Sequence, residues 1–158
     1  MNFWTKHYPD VVTGWNTEFF DIPYLVNRVS RILGEDRAKE FSPWGIVNPR
    51  TVYMHGRNQQ VYDIIGIANL DYLQLYRKFT YTNQESYALN HIASVELGAK
   101  KNDNPYETFQ EWYKKDYQSF LEYNIVDVEL VDRLEDKMKL LELLFTMAYE
   151  AKVNFEDV

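Results

Sequence analysis

The sequence contains no cysteine, only three histidines among its 158 residues, and no apolar run of membrane-spanning length. The absence of cysteine excludes disulfides and thiolate metal sites, so a metal ion would be held by carboxylate, histidine or backbone groups. The histidines His7, His55 and His91 are scattered and show no ligand spacing. A membrane helix needs about 20 apolar residues, and the first residues lack the pattern of a signal peptide. We therefore expect a cytoplasmic, non-secreted protein without a membrane partner.

The net charge and the aromatic content of the chain favour different functions. The net charge of -7 argues against a broad duplex-binding surface, because such surfaces concentrate lysine and arginine. Metal-dependent nucleases, however, need clustered carboxylates at the reaction centre. Aromatic residues make up 16% of the chain, which suits a packed core and also suits stacking on unpaired bases. Composition alone therefore does not select the function.

The first half of the chain predicts a strand, a helix and a hairpin. A β-branched run closed by glycine predicts a buried strand at residues 10–15. Apolar residues at helical spacing, with Pro23 in the first turn and Gly34 at the end, predict the helix that follows. Polar residues 56–59, flanked by β-branched and aromatic residues, predict a β-hairpin between residues 46 and 67 with an exposed polar tip.

The second half is predicted to be helical. Apolar spacing indicates helices at residues 70–76 and 89–98, the second of them ended by glycine. Residues 100–105 are the most linker-like stretch of the chain. From there the pattern predicts one long helix over residues 106–153, with a break near Asp116. No internal repeat interrupts the sequence, which is typical of a single domain.

Asp127 extends the apolar stripe of this long helix by one turn, and Tyr123 lies four residues earlier on the same face. The stripe consists of Val131, Leu134, Met138, Leu141, Phe145 and Ala148. An ionised carboxylate that faces inward needs a partner. Asp127 would then pair with a lysine or arginine, or lie on an exposed shoulder. Alternatively it would be a metal ligand beside a tyrosine that orients a water molecule.

Asp21 also has two interpretations. An aspartate just before Ile22-Pro23 is typical of a helix cap. It would otherwise be a member of a carboxylate cluster that binds metal. Neither aspartate decides the question alone.

Together, the two regions resemble a known enzyme family. Residues 14–24 look like the second exonuclease motif of family B DNA polymerases, in which an asparagine precedes a phenylalanine-aspartate pair. Residues 123–128 look like the third motif, in which a tyrosine precedes an aspartate by four positions. The intervening residues 71–89 resemble the phage members of the family in order and spacing. The resemblance covers nearly the whole chain.

The resemblance implies an incomplete ribonuclease H-like α/β fold that is helix-rich, with a β-hairpin and a long C-terminal helix. Residues 1–158 would form a single partial domain, the C-terminal part of a 3'-to-5' proofreading exonuclease. The implied function is hydrolysis of single-stranded primer ends during DNA replication, in the host cytoplasm if the source is viral. The remainder of the polymerase chain and a single-stranded DNA primer end would be its partners.

The resemblance also implies roles for individual residues. Asp21 and Asp127 would belong to the carboxylate cluster of a site for two Mg²⁺ or Mn²⁺ ions, with Asp127 as a direct ligand. Tyr123 would hydrogen-bond the attacking water. Asn16 and Phe20 would position the unpaired primer end, although core packing would explain a phenylalanine at a helix start equally well.

The hairpin matches in place the one that phage polymerases use to separate primer from template, although turn chemistry alone would also produce an ordinary surface hairpin. Arg57 at its tip would contact a phosphate.

The family's first motif, an aspartate and a glutamate separated by one residue, is expected upstream of this sequence. The only such spacing here is Asp127-Val128-Glu129, where the two carboxylates lie on opposed faces of a helix and cannot substitute. We therefore predict that the chain alone has negligible nuclease activity. Its strand would lack upstream neighbours and expose a sheet edge, which would favour pairing with a second copy, as a homodimer, or with a partner chain. The alternatives are a non-catalytic binding or assembly module, or one chain of a split polymerase.

Overall fold

The computed structural model describes residues 1–54, 56–99 and 105–158. It contains two compact units, the first formed by Met1–Phe79 with Leu141–Val158 and the second by Thr80–Leu140. The predicted linker at residues 100–105 and the predicted hairpin turn at His55 lie outside the described residues, apart from Pro105. The single partial domain over residues 1–158 stays a prediction.

The first unit combines strands and helices. Its strands, within the described residues, are β1 (Val11–Gly14), β2 (Val47–Met54), β3 (Arg57–Ile64) and β4 (Ala68–Asp71). Its helices are α1 (Asn2–Lys6), α2 (Ile22–Leu33), α3 (Glu35–Lys39), α4 (Tyr72–Phe79) and α8 (Leu140–Ala151), with a π-helical turn at Thr17–Asp21 and a 3₁₀ turn at Phe155–Asp157. The strand predicted at residues 10–15 is confirmed as β1, but its residues are half-buried or exposed and not buried as predicted. The helix ended by Gly34 is confirmed.

A short parallel sheet positions the segment that follows β1. Strand β1 pairs with β4 in parallel, with Val11 opposite Ala68 and Gly14 opposite Asp71. The sequence analysis did not predict β4, and the helix predicted from residue 70 begins instead at Tyr72. Leu70 is buried at the end of the strand, so its apolar character reflects the sheet and not a helix face. Among the described residues no other strand pairs with β1.

The predicted hairpin is confirmed as the antiparallel pair β2–β3, in which Val47 faces Ile64 and Met54 faces Arg57. The prediction placed Arg57 in the tip together with residues 58 and 59. That placement is wrong, because all three residues belong to β3, where Arg57 pairs with Met54 of β2. Gly56 adopts a φ of 75°, which favours glycine at the turn.

The core of the first unit lies between α2, α3 and the strands. It is formed by the buried side chains of Ile22, Val26, Ala38, Phe41, Ile64 and Ile67. Trp4 packs on the edge of this cluster, and its indole nitrogen donates a hydrogen bond of 2.8 Å to the carbonyl oxygen of Phe41. The apolar face of α2 is therefore what fixes the direction of the chain after the π-helical turn.

The second unit is helical, with α5 (Leu89–Leu97), α6 (Phe109–Lys115) and α7 (Tyr117–Met138). Gly98 ends α5 in the left-handed region, as the sequence predicted. The predicted break at Asp116 is confirmed, and the Asp116 carboxylate accepts a hydrogen bond from the Ser119 amide at the start of α7.

The prediction of one long helix up to residue 153 is wrong. Lys139 has a φ of 56° and separates α7 from α8. Its amide donates a 2.8 Å hydrogen bond to the carbonyl oxygen of Glu135, which closes the last turn of α7. The apolar residues keep their helical spacing on both sides of Lys139. A single residue with left-handed backbone therefore leaves no sign in the sequence pattern.

The mixed, helix-rich fold class is confirmed at this level. No helix in the described part of the chain is both long enough and apolar enough to cross a bilayer.

Candidate functional site

The π-helical turn Thr17–Asp21 carries residues of the predicted second exonuclease motif. It follows β1 through Asn16, whose φ of 67° lies in the left-handed region that asparagine tolerates better than most residues. The Phe20 amide donates to the carbonyl oxygen of Asn16 at 3.0 Å. Turns of π-helix are rare and are often found at functional sites.

Close packing joins this turn to the end of β1. A β-carbon added to Gly14 would come within 2.8 Å of the Thr17 γ-methyl carbon, so only glycine fits without a shift. The Thr17 hydroxyl donates to the side-chain oxygen of Asn69 at 2.9 Å, and the Thr13 hydroxyl donates to the Leu70 carbonyl oxygen at 2.7 Å. The turn is therefore attached to β4 by side chains as well as by the sheet.

A buried carboxylate at the end of β4 holds the backbone of the turn. Asp71 is 4% exposed. Its Oδ1 accepts from the amides of Asn16 at 2.9 Å and Leu73 at 3.0 Å, and its Oδ2 accepts from the amide of Glu18 at 3.2 Å. Burial raises the pKa of Asp71 above its usual value, and the three amide donors offset that rise in part.

Phe20 and Asp21, at the end of this turn, are both exposed. The Phe20 ring is 64% exposed, so core packing does not explain it. Asp21 is exposed and precedes α2, but within the described residues its side chain makes no capping hydrogen bond to that helix. The backbone is already helical at Asp21, which removes the need for a cap. The helix-cap interpretation of Asp21 is therefore wrong.

An ion-pair network connects the turn to the hairpin. Arg50 on β2 places its Nη2 3.0 Å from Glu18 Oε1 and its Nε 3.3 Å from both carboxylate oxygens of Asp63 on β3. The Arg50 guanidinium thus connects β2 both to β3 and to the turn that carries the motif. Arg57, the predicted phosphate contact, is exposed at the start of β3.

In the second unit, Tyr123 and Asp127 lie one turn apart on α7, and both are half-buried. The Tyr123 ring meets the Trp112 ring edge-on, with centroids 4.7 Å apart, and lies 5.9 Å from the Phe109 ring. Trp112 is 3% exposed, and its indole nitrogen donates to the Ser119 hydroxyl at 3.2 Å. An aromatic cluster from α6 therefore fixes the face of α7 that carries the predicted motif.

The predicted residues thus fall into two sets. Asn16, Phe20 and Asp21 share the turn of the first unit, while Tyr123 and Asp127 share the helix of the second. Among the described residues, no group of three histidine or carboxylate side chains is placed to hold a metal ion. The carboxylates within the described residues do not by themselves make a complete metal site.

A cleft of about 310 Å³ lies beside the turn in the first unit. Charged side chains of both signs line it: Glu18, Arg50, Asp63, Asp71, Lys78 and Glu156. None of the predicted site residues is among the residues that line this cleft. We therefore do not assign the proposed reaction to this cleft.

The sequence analysis did not identify Asp71, Thr17 or Glu18 as contributors. Their roles depend on β4 lying beside β1, and a parallel partner far along the chain leaves no local signal. The sequence did offer one indication of the role of Asp71, which directly follows the mainly apolar stretch 64–70. Functional polar residues often lie at the carboxyl ends of parallel strands.

Comparison with known proteins gives a consistent result. A family model described as "DNA polymerase family B, exonuclease domain" matches residues 1–92. The DNA-directed DNA polymerases of Escherichia phage RB69 and Enterobacteria phage T4 are each 38% identical over the whole of this chain, which spans 17% and 18% of their lengths. DNA polymerase II of Escherichia coli (strain K12) is 28% identical over 94% of the chain, corresponding to 19% of that protein.

Proposed function

The chain belongs to the exonuclease domain of the family B DNA polymerases, as the two motifs predicted, and we propose that it supplies the second and third motifs of a 3'-to-5' proofreading site. The proposed fold is the ribonuclease H-like fold, of which β1, β4 and the adjacent helices would be a part. The proposed reaction is hydrolysis of single-stranded primer ends during DNA replication. It would take place within a larger polymerase, since the chain spans less than a fifth of the length of the phage polymerases it matches.

The surface position of Phe20 and Asp21 on an anchored turn is the observation that carries this proposal. An apolar ring that is 64% exposed beside an exposed carboxylate contributes nothing to the core. The same pair suits a site in which a base stacks on the ring while the carboxylate lies near the phosphate. Asp71, Thr17 and Gly14 hold the backbone beneath them, as an accurately placed site requires.

Each residue then has a defined task. Asn16 and Phe20 would position the unpaired primer end, and Arg57 would contact a phosphate from the hairpin. The hydroxyl of Tyr123, whose ring packs edge-on against Trp112, would orient the attacking water. Asp21 and Asp127 would each provide a carboxylate to bound Mg²⁺ or Mn²⁺, which when present supplies water activation and charge neutralisation at the phosphate.

Two carboxylates leave the proposed site incomplete. The other ligands would come from an aspartate and a glutamate outside these 158 residues, so the remainder of the polymerase is the proposed partner. We propose that the chain alone has negligible nuclease activity, and Mg²⁺-dependent digestion of single-stranded DNA by the purified chain would contradict this. The edge of β1 opposite β4 is the proposed contact for the missing strands, or for a second copy in their absence.

Calorimetry with Mn²⁺ and Mg²⁺ tests the proposed metal role. The purified chain would be titrated alone and then together with a polypeptide that carries the first motif. Asp127→Asn removes the proposed ligand, and Asp132→Asn makes the same charge change at an exposed position of α7 and serves as the matched control.

We expect metal binding only in the mixture, its loss in Asp127→Asn, and its retention in Asp132→Asn. If the mixture binds no metal although the two polypeptides associate, the two aspartates are structural. The non-catalytic binding module would then be the better description of the chain.

A further inference from the structure

We propose that Asp71 is a positioning residue of the candidate exonuclease site, because its carboxylate fixes the backbone of the turn that presents Asn16, Phe20 and Asp21. This inference rests on the proposed function and adds to it a residue from outside both motifs. Asp71 does not reach the reaction itself. It acts through the amides of residues that carry the site.

The placement of Asp71 follows from the sheet. The parallel pairing of β1 with β4 sets Asp71 opposite Gly14, at the carboxyl ends of both strands. The chain leaves β1 at this level and forms the π-helical turn directly above the Asp71 side chain. Asp71 Oδ1 accepts the Asn16 amide at 2.9 Å and Oδ2 accepts the Glu18 amide at 3.2 Å.

The two amides need an acceptor. The first amides of a helical turn have no carbonyl partner within the helix, and here they are close to a buried side chain. One carboxylate satisfies both with separate oxygens, so the spacing of its oxygens fixes the spacing of the Asn16 and Glu18 amides. The left-handed backbone at Asn16 sits between these two contacts and is held in place by them.

Asp71 also has a purely structural task that must be separated from the positioning role. Its Oδ1 accepts the Leu73 amide at 3.0 Å, which caps the start of α4. Asp71→Asn separates the tasks in part, because an amide side chain has only one acceptor oxygen. When that oxygen serves Asn16 and Leu73, the NH₂ group faces the Glu18 amide, and two donors oppose each other.

Amide hydrogen exchange, measured by NMR on this chain, tests whether Asp71 fixes the backbone of the turn. The measurement does not depend on nuclease activity. We expect Asp71→Asn to speed exchange of the Glu18 amide by about tenfold or more, with a smaller effect at Asn16. Asp71→Ala should speed both amides. Equal exchange at Glu18 and Asn16 in the wild type and both variants would overturn the proposal.

Ser42→Ala is the matched control. Ser42 is buried, and its hydroxyl donates to the Ile65 carbonyl oxygen at 2.6 Å in the same unit, away from the turn. Its removal lowers stability through a lost buried hydrogen bond, and we expect no selective change at Asn16 or Glu18. If Ser42→Ala speeds those two amides as much as Asp71→Asn does, Asp71 contributes only general stability and the proposal fails.

A kinetic test uses single-stranded DNA digestion by the chain mixed with the polypeptide that carries the first motif. We expect Asp71→Asn to lower kcat at saturating DNA by about ten- to a hundredfold, because small displacements of reacting groups have effects of that order. Ser42→Ala should leave kcat unchanged at a temperature at which both variants are folded. An unchanged kcat in Asp71→Asn, despite faster Glu18 exchange, would overturn the positioning role.

Failure of the proposed function has a different signature. Asp21→Asn would then leave digestion unchanged, or the wild-type mixture would digest no DNA. In either case the exchange rates still decide whether Asp71 holds the turn, since they require neither metal nor substrate.

Discussion

Arg50 joins the hairpin to the motif-bearing turn, with its Nη2 3.0 Å from Glu18 Oε1. The same guanidinium lies 3.3 Å from Asp63 on the neighbouring strand. A movement of the hairpin would therefore be transmitted to the turn in part through this side chain. Both partners are partly exposed, at 49% for the Arg50 side chain and 27% for that of Glu18, which limits the energy of the contact.

A double-mutant cycle with Arg50→Ala and Glu18→Ala should show a coupling of about 0.2–1 kcal/mol, the usual range for such pairs. Urea unfolding of the two single variants and the double variant measures it. The more exposed pair of Lys39 and Asp36 in α3 is the control, and its coupling should be smaller. Strictly additive effects of Arg50 and Glu18 would mean that the contact does not connect hairpin and turn energetically.

Gly14→Ala should destabilise the first unit by about 1–3 kcal/mol, because the new methyl group meets the Thr17 side chain at 2.8 Å. Thr17→Ser removes the opposing methyl group and keeps the hydroxyl that donates to Asn69. The double variant should therefore recover most of the loss, as measured by urea unfolding. If the double variant is no more stable than Gly14→Ala, the loss of stability comes from the backbone at position 14 and not from the contact with the Thr17 methyl group.

Burial of the Asp71 carboxyl group should make the free energy of unfolding depend on pH. Since burial raises the pKa of Asp71 in the folded chain, the folded state binds a proton more readily than the unfolded state. Relative to Asp71→Asn, the wild type should gain stability as the pH falls through the raised pKa. The gain should be complete below about 3.9, the ordinary value for aspartate.

Urea unfolding of the wild type and Asp71→Asn between about pH 3.5 and pH 8 measures this difference. A wild type that loses stability relative to the variant on acidification would show that the three amide donors outweigh burial and lower the pKa.

Trp112→Ala should cost about 3–5 kcal/mol, the range for large buried aromatic side chains. It should also shift the Tyr123 ring resonances, since the two ring centroids are 4.7 Å apart. Tyr113→Ala removes an exposed ring from the same helix and should cost much less. Unchanged Tyr123 resonances in Trp112→Ala would mean that α7 fixes this tyrosine without help from α6.

The sequence predicted those elements whose determinants are local. The glycine after β1, Pro23 in the first turn of α2 and Gly98 after α5 each mark an end that the structure contains. Both motifs were read from residues a few positions apart. Their family is confirmed by a family model that matches residues 1–92 and by phage relatives that match the whole chain.

Features that depend on distant parts of the chain were missed. Strand β4 exists because β1 lies beside it, and Asp71 gains its role only from that pairing. The left-handed residue Lys139 divides a helix whose apolar spacing continues without interruption. The surface position of Phe20 was equally hidden, because a phenylalanine near a helix start suits a core as well as a surface.

The parallel pairing of β1 with β4 also has a consequence for the order of folding. The Thr13 hydroxyl and the Leu70 carbonyl oxygen that it contacts are 57 positions apart, so this pairing requires closure of a long loop. The β2–β3 hairpin lies inside that loop and can form within about 1–10 μs by itself. Residues 16–21 should therefore acquire their native backbone late, after the two ends of the loop have met. A refolding chain would pass through a stage with a formed hairpin and an unformed motif.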